Sequence, residues 1–432
     1  MSIPELNISL DKLIELVNMY DTPLQIYDEE MIITNGQRFL NVFESHFSGF
    51  KQYFAVKALP NPYILKVLHS IGMGLDCSSV GELFIADKLG IDDIMFSGNY
   101  VSRVDMNYVS QMQKTNDKMI INFDDIDGID NLMHSGNRVP ELVCFRLNPK
   151  IGTTDSETKS NILGGESSKF GIPEHLIVDA YKYAKANGAL RFGIHTMTGS
   201  CVMDVTYWKY LIDSVFKTVN KLKKELGIEI EFINIGGGIG IPYKPDIKPV
   251  DIEELALLIR KSFDENVALY GLREPKLYME NGRYVTGPYG WLISTCQSIK
   301  KGYNNKTYYG LDACMANLMR PGMYGAYHHI TIRRINSIDE NDDTCEPANV
   351  VGTLCENNDW FAKDRMLPKN IAKGDIFVIH CTGAHSHSMG FQYNGKLRAT
   401  ELIIKRDKTI TVIREGETVF DLYHNCIYGE EI

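Results

Sequence analysis

The sequence predicts an α/β protein: a parallel (β/α)8 TIM barrel followed by a β-rich domain of Greek-key or sandwich type. Three observations lead there. Eight short apolar segments alternate with helical patterns as far as residue 287. Beyond that point the helical period nearly vanishes and strand patterns follow one another. Residues able to do chemistry stand at the C-terminal ends of the short segments, where parallel barrels build their sites. A doubly wound open sheet shares this periodicity and is the alternative on pattern alone.

In chain order, a strand is expected at 23–27 and a helix from 30 to about 46. Barrel strands are expected at 52–58, 74–77, 94–97, 119–123, 142–148, 190–196, 231–235 and 277–280. Helices at 62–71, 80–89, 173–187, 205–226 and 252–270 lie between them. The later strands are expected at 291–299, 306–311, 329–334, 349–354, 375–380, 397–405, 409–414 and 418–422, with acidic 339–346 as a surface loop. The expected domains are therefore 30–287 for the barrel, and 1–29 plus 288–432 for the β-rich part.

Composition narrows the classes. A 44% hydrophobic share over 432 residues supplies a large core. A net charge of −10 without a dense Lys/Arg run argues against nucleic acid and anionic membranes as partners. No segment reads as a signal peptide or membrane span, so the cytoplasm is the expected location. Nine cysteines without a C-x-x-C pair argue against a disulfide framework or a zinc ribbon.

The first barrel strand runs into Lys57-Ala58-Leu59-Pro60-Asn61-Pro62, and alternation puts Tyr53, Ala55 and Lys57 on one face. An ammonium buried there needs a partner or must become neutral, and a neutral amine is what Schiff-base chemistry requires. A strand-end lysine paired with a carboxylate is the plainer reading. Gly236, Gly237 and Gly238, directly after a strand, let backbone N–H groups approach an anion, or simply make a tight turn. Arg283 offers a cation with bidentate phosphate geometry, or an ordinary ion pair. Glu280 at a strand end could hold a proton on a pyridine nitrogen. His195 offers a flat ring for stacking, or is structural; Asp76 faces the same mouth, or caps the next helix. His380, His385 and His387 invite a metal, but without a nearby carboxylate their spacing matches known zinc sites poorly, and no metal is expected.

Taken in order, YFAVKALPNP, GLDCSSVGEL, SKFGI, a strand-end His, GGG, ENGR, MRPGMYGA, CENND and TGAHSHSMGFQYNGKLRATEL resemble the fold-type III pyridoxal-phosphate decarboxylases, most closely the diaminopimelate decarboxylases. The resemblance runs from about residue 23 to the C-terminus. It implies an alanine-racemase-like barrel and a head-to-tail homodimer in which CENND serves the partner's barrel. By motif, Lys57 carries the cofactor, Glu280 meets the ring nitrogen and His195 stacks on the ring. Gly236, Gly237, Gly238, Ser200 and Arg283 hold the phosphate region. Arg320 and Tyr324 bind the distal carboxylate of the substrate, Glu356 its distal ammonium, and Cys355 protonates the α-carbon. Two departures stand out. His195-Thr196-Met197-Thr198-Gly199-Ser200 is two residues longer than the family's usual loop, and Gly383-Ala384-His385 replaces Gly-Ala-Tyr, leaving His385 or Tyr393 for the missing tyrosine.

The implied reaction is decarboxylation of meso-2,6-diaminopimelate to L-lysine. The alternatives are a sister decarboxylase for a D-amino acid, carboxynorspermidine, ornithine or a carrier-bound glutamyl group; a racemase, which Glu280 disfavours; and a catalytically dead binding subunit, which would lack Lys57 or the glycines.

Overall fold

The computed structural model describes residues 3–154, 162–335 and 344–426. The chain falls into two units. One comprises Ile33–Ile241 and Pro249–Val285; the other comprises Met1–Ile32, Pro242–Lys248 and Thr286–Ile432.

The first unit is a closed barrel, not an open sheet. Its strands are Lys51–Ala55, Gly74–Cys77, Ile94–Phe96, Ile120–Phe123, Leu142–Asn148, Arg191–His195, Ile230–Asn234 and Lys276–Met279. Each pairs in parallel with the next. Tyr278 and Met279 pair back with Lys51 and Gln52, which closes the ring. Side-chain caps start the helices that follow: Asn61, Ser79, Ser102, Asp125 and Asp251 each accept a first-turn N–H. The helix expected from 173 begins later, at Ile177, because Ile172 and Pro173 first pair along the fifth barrel strand.

The first strand stops three residues earlier than its apolar pattern suggests. After Ala55 the chain forms a 3₁₀ turn over Val56–Ala58, closed by the Leu59 N–H on the Val56 carbonyl at 3.0 Å. Pro60 and Pro62 have no N–H to continue a ladder, so the chain must leave the sheet before them. Lys57 is therefore lifted out of the strand, and it is exposed rather than buried.

Period two sorts the barrel interior into layers. Tyr53, Met95, Ile120, Cys144, Phe232 and Tyr278, from six different strands, pack as one apolar cluster. Gly193 leaves the seventh place open because a Cβ there would lie 2.1 Å from the Phe232 ring. Two residues further along the same faces stand Ala55, Asp76, Ser97, Asn122, Arg146, His195, Asn234 and Glu280. The apolar floor thus gives way, one pleat later, to a polar mouth at the C-terminal strand ends.

The second unit is built on a nine-stranded sheet. Its main path runs Trp360–Pro368, Cys345–Val351, Thr307–Leu311, Gly290–Lys301, Leu24–Asp28, Thr400–Ile404 and Ile410–Arg414. Ile376–Ile379 also pairs with Gly290–Lys301 and carries Ile330–Arg333 on its other edge. The early strand Leu24–Asp28 lies antiparallel to Gly290–Lys301 and parallel to Thr400–Ile404. Trp291 and Ile293 pack with Leu13 and Leu16 of the helix Leu10–Tyr20, whereas Leu292 between them packs with Leu311, Val350 and Phe377. Both faces are covered, which explains a run of consecutive apolar residues in one strand.

Three expectations fail here. Residues 418–422 are not a strand: Val419–Tyr423 is a short helix started by a capping box between Thr418 and Asp421. The strand Trp360–Pro368 was not expected, because its pairing shifts register and its charged Lys363-Asp364-Arg365 run hides the period. The strand set at 349–354 lies at Cys345–Val351, so Cys345 and Glu346 leave the expected acidic loop. Residues 339–343 of that loop lie outside the described residues.

Candidate active site

The mouth of the barrel is a ring of polar groups, most of them buried, and the Lys57 amine acts on the charges of two of them, Asp76 and Glu280. Glu280 is the centre of its hydrogen bonding: Oε1 accepts from Asn234 Nδ2 at 2.7 Å and Oε2 from His195 Nε2 at 3.0 Å. Arg146 stacks on Phe170 with 4.5 Å from guanidinium carbon to ring centre, and lies 3.7 Å from Asp124. Its Nη1 donates to Asn99 and its Nη2 to the Met197 carbonyl at 3.0 Å. Asp76 does not cap the following helix; Ser79 does, with its Oγ on the Glu82 N–H at 3.3 Å. The carboxyl of Asp76 is thereby left for the mouth.

Two carboxyl groups so close cannot both ionise cheaply, and their environments separate them. Burial raises Asp76, the negative charge of Glu280 raises it further, and Lys57 only partly offsets this, so its pKa lies at about 8. Burial also pushes Glu280 upward, but His195, Lys57 and the Asn234 amide together hold it below the ordinary carboxylate range. Glu280 is the ionised member and Asp76 the protonated one.

The sign of the resulting pH dependence is fixed. A carboxyl whose folded pKa lies above its unfolded value favours folding at low pH, and this contribution fades as pH rises through the folded value. In the cofactor-free protein, Asp76 should cost up to about 1.4 kcal/mol of stability per pH unit between its unfolded value near 4 and pH ~8. Asp76→Asn should flatten that decline in urea unfolding followed from pH 5 to 8. An unchanged slope would show that Asp76 is ionised in the folded state.

Around the glycines, three strand exits come close together. A Cβ on Gly237 would sit 2.2 Å from the Glu280 carbonyl oxygen, and one on Gly238 2.5 Å from that of Gly199. Gly236 and Gly238 also take positive φ, 69° and 106°, which a side chain disfavours. The Gly236 N–H is bound to Asn234 Oδ1 at 2.9 Å, while that of Gly237 points at the Met197 sulfur, a weak acceptor, at 3.2 Å. The lengthened loop is well held, with Thr196 N–H on the Asn234 carbonyl and Thr198 bonded to the Tyr207 hydroxyl. It delivers Ser200 to Arg283, whose Nη2 lies 3.4 Å from the serine Oγ.

The remaining candidates gather in the second unit. Asp359, buried, accepts the Met315 N–H at 2.6 Å and the Leu354 N–H at 2.8 Å, which fixes the loop bearing exposed Cys355 and Glu356. The Cys355 N–H bonds to Asn394 Oδ1 at 2.7 Å, so the Tyr393 turn lies beside that loop. Gly322 lets the helix Arg320–Tyr324 approach the same loop, since a Cβ there would meet the Asn358 carbonyl at 2.3 Å. Arg320 is buried, Tyr324 half-buried and Tyr393 half-exposed. His385 is half-buried and takes a left-handed backbone conformation, φ 59°. Of the histidines considered for a metal, His380 is a packed residue whose Nδ1 and Nε2 face the Pro4 carbonyl and the Thr331 hydroxyl.

Sequence reading missed Ser97, Asn122, Arg146 and Asn234 in the polar ring. Each stands two residues after an apolar floor residue, which is the signal that could have found them.

The mouth suits an anionic aromatic cofactor. His195 Nδ1 and Asn122 Oδ1 are buried without a hydrogen-bond partner, the triple-glycine bend tolerates no Cβ, and Arg283 reaches Ser200 on a neighbouring strand exit. Buried polar atoms left in this state cost about 1–3 kcal/mol each, which a ligand can recover. Fold and site together define a barrel enzyme that works with a cofactor at its strand ends. The chain belongs to the pyridoxal-dependent decarboxylases: residues 33–287 match the family's pyridoxal binding domain. It is a fold-type III, pyridoxal-phosphate-dependent amino-acid decarboxylase. Protein TabA of Pseudomonas amygdali pv. tabaci is 40% identical over 94% of this chain and 91% of its own. The diaminopimelate decarboxylase of Methanothermobacter thermautotrophicus is 35% identical over 95% of this chain and 92% of its own. The crystal structure of diaminopimelate decarboxylase from Methanocaldococcus jannaschii superposes with a TM-score of 0.84 at 29% identity, covering 96% of this chain and 94% of that one.

Proposed function

We propose that the protein decarboxylates meso-2,6-diaminopimelate to L-lysine. The observation that carries this reading is that the second unit supplies both a buried cation, Arg320, and an exposed carboxylate, Glu356. A substrate with a carboxylate and an ammonium at its far end suits that pair, because one group reads the anion and the other the cation. Relatives at 30–35% identity that bear the name diaminopimelate decarboxylase support it.

Bound pyridoxal phosphate supplies an aldehyde to link the amino acid and a ring that draws off the electron pair left by the departing carboxylate. In this reading the Lys57 amine holds the cofactor between turnovers and returns to release product. Glu280 keeps a proton on the ring nitrogen; each of its oxygens already accepts one protein donor and has room for another. His195 holds Glu280 in place and presents its ring to the cofactor, with Asp76 facing the same mouth. Gly236, Gly237, Gly238, Ser200 and Arg283 take the phosphate, and His385 or Tyr393 completes that contact. Tyr324 supports Arg320 at the distal carboxylate. Cys355 delivers the proton to the α-carbon.

We further infer a homodimer in which Cys355 and Glu356 serve the barrel of a second copy, in the cytoplasm. Mixing inactive Lys57→Ala and Cys355→Ala proteins under subunit exchange should restore up to about a quarter of wild-type activity, since one site in four would then be intact in a random mixture. No recovery would contradict shared sites.

A second reading is a sister decarboxylase with another substrate. The 40% identity to Protein TabA, whose name states no substrate, together with His385 and the longer loop at Thr196–Gly199, favours keeping it. Measuring CO2 release from meso-diaminopimelate, L-lysine, ornithine and D-amino acids separates the two. The first reading predicts meso-diaminopimelate at least tenfold ahead in kcat/KM, the loss expected when a charged site meets no partner. Release from another acid with none from diaminopimelate would replace it.

A further inference from the structure

We propose that His328, with Tyr243, sets the donor geometry of Arg320 and thereby the enzyme's selectivity for substrates carrying a second carboxylate. The inference rests on the reading that Arg320 takes the distal carboxylate. His328 is fully buried, with Nε2 2.7 Å from Arg320 Nη1 and Nδ1 2.9 Å from the His380 carbonyl oxygen. A carbonyl can only accept, so Nδ1 carries the proton; Nε2 is then the bare nitrogen and accepts from the guanidinium. The imidazole is neutral and held at both ends. Its anchor is rigid, because His380 directly follows the central strand Ile376–Ile379 and donates its own N–H to the His329 carbonyl at 2.9 Å.

Tyr243 fixes the second direction. The Arg320 guanidinium lies 4.4 Å above its ring centre, and the same ring meets His328 edge-on at 4.8 Å. A guanidinium is a planar fork of five N–H groups. With one nitrogen on His328 and one face on Tyr243, rotation in and out of that plane is restricted. A fork held this way loses less freedom on meeting a carboxylate than a solvated one. Tyr243 comes from Pro242–Lys248, the short stretch that joins the sheet unit from within the barrel sequence.

The test compares His328→Leu, which cannot accept from Arg320, with His328→Gln, whose amide can accept at oxygen and donate at nitrogen. In the holoenzyme, the leucine variant should raise KM for meso-diaminopimelate about tenfold or more, the range for a lost hydrogen bond to a charged group. Its kcat should change less than about twofold, and the visible absorbance of bound cofactor and the melting temperature should be retained. Inhibition by 1,5-diaminopentane, which has no carboxylate, should be unaltered, and the glutamine variant should recover most of the affinity. A leucine variant with wild-type KM, an equal loss for 1,5-diaminopentane, or no rescue by glutamine would overturn the inference. If the leucine variant does not fold, Tyr243→Leu replaces it with the same expectations. Arg320→Lys separates the two levels: impairment there with normal His328→Leu sinks this inference alone. Normal turnover by Arg320→Lys sinks the reading of Arg320 itself and this inference with it.

Discussion

Lys57→Ala should yield a folded protein that shows no visible band on adding pyridoxal phosphate and no decarboxylation above background. The fold should tolerate the change: Lys57 is exposed on a 3₁₀ turn, where truncations usually alter stability by less than about 0.5 kcal/mol. The chemistry should not tolerate it, because in the proposed reading the Lys57 amine is the nitrogen that links the cofactor. The electrostatics of the mouth should shift as well. Lys57 lowers the pKa of both Asp76 and Glu280, so its removal should raise both. A variant that keeps the band and the activity would move the cofactor to another lysine.

Glu280→Gln has the second largest expected effect. The amide is nearly isosteric and can still accept from Asn234 or His195, so the barrel should fold. It cannot carry the negative charge that we propose holds a proton on the ring nitrogen. Losing one preorganised electrostatic partner of this kind typically lowers kcat by roughly 10²–10³-fold. A second consequence needs no activity assay. Burial is the main reason that Asp76 stands high and the charge of Glu280 adds to it, so in the cofactor-free variant the pKa of Asp76 should fall below about 8 while staying above the ordinary carboxylate range. Carboxyl-selective NMR or infrared titration would follow that fall. An unchanged Asp76 would mean that burial alone sets it.

The barrel was legible because strands buried on both faces are short apolar runs, and their exits are marked by residues too polar to be there by chance. Asp76, His195 and Glu280 were readable for this reason, as each ends an apolar segment. Arg146 and Asn234 were not, because a polar residue inside a strand pattern looks like an edge until the inward face is known. The Pro-Asn-Pro that lifts Lys57 out of its strand was visible, yet its effect on exposure depends on a turn whose geometry no period reveals. In the second unit, alternation located most strands but not Trp360–Pro368, where an irregular pairing breaks the period. The return of Pro242–Lys248 to that unit, and with it the Tyr243 ring under Arg320, is a tertiary fact without a local signature.

The most direct test of the central claim is to reduce the cofactor-loaded protein with borohydride, digest it and weigh the peptides. The cofactor's mass should sit on Lys57 alone, within the peptide spanning the first barrel strand and the Pro-Asn-Pro turn. A label on a different lysine, or a loaded protein that reduction leaves unlabelled, would contradict it.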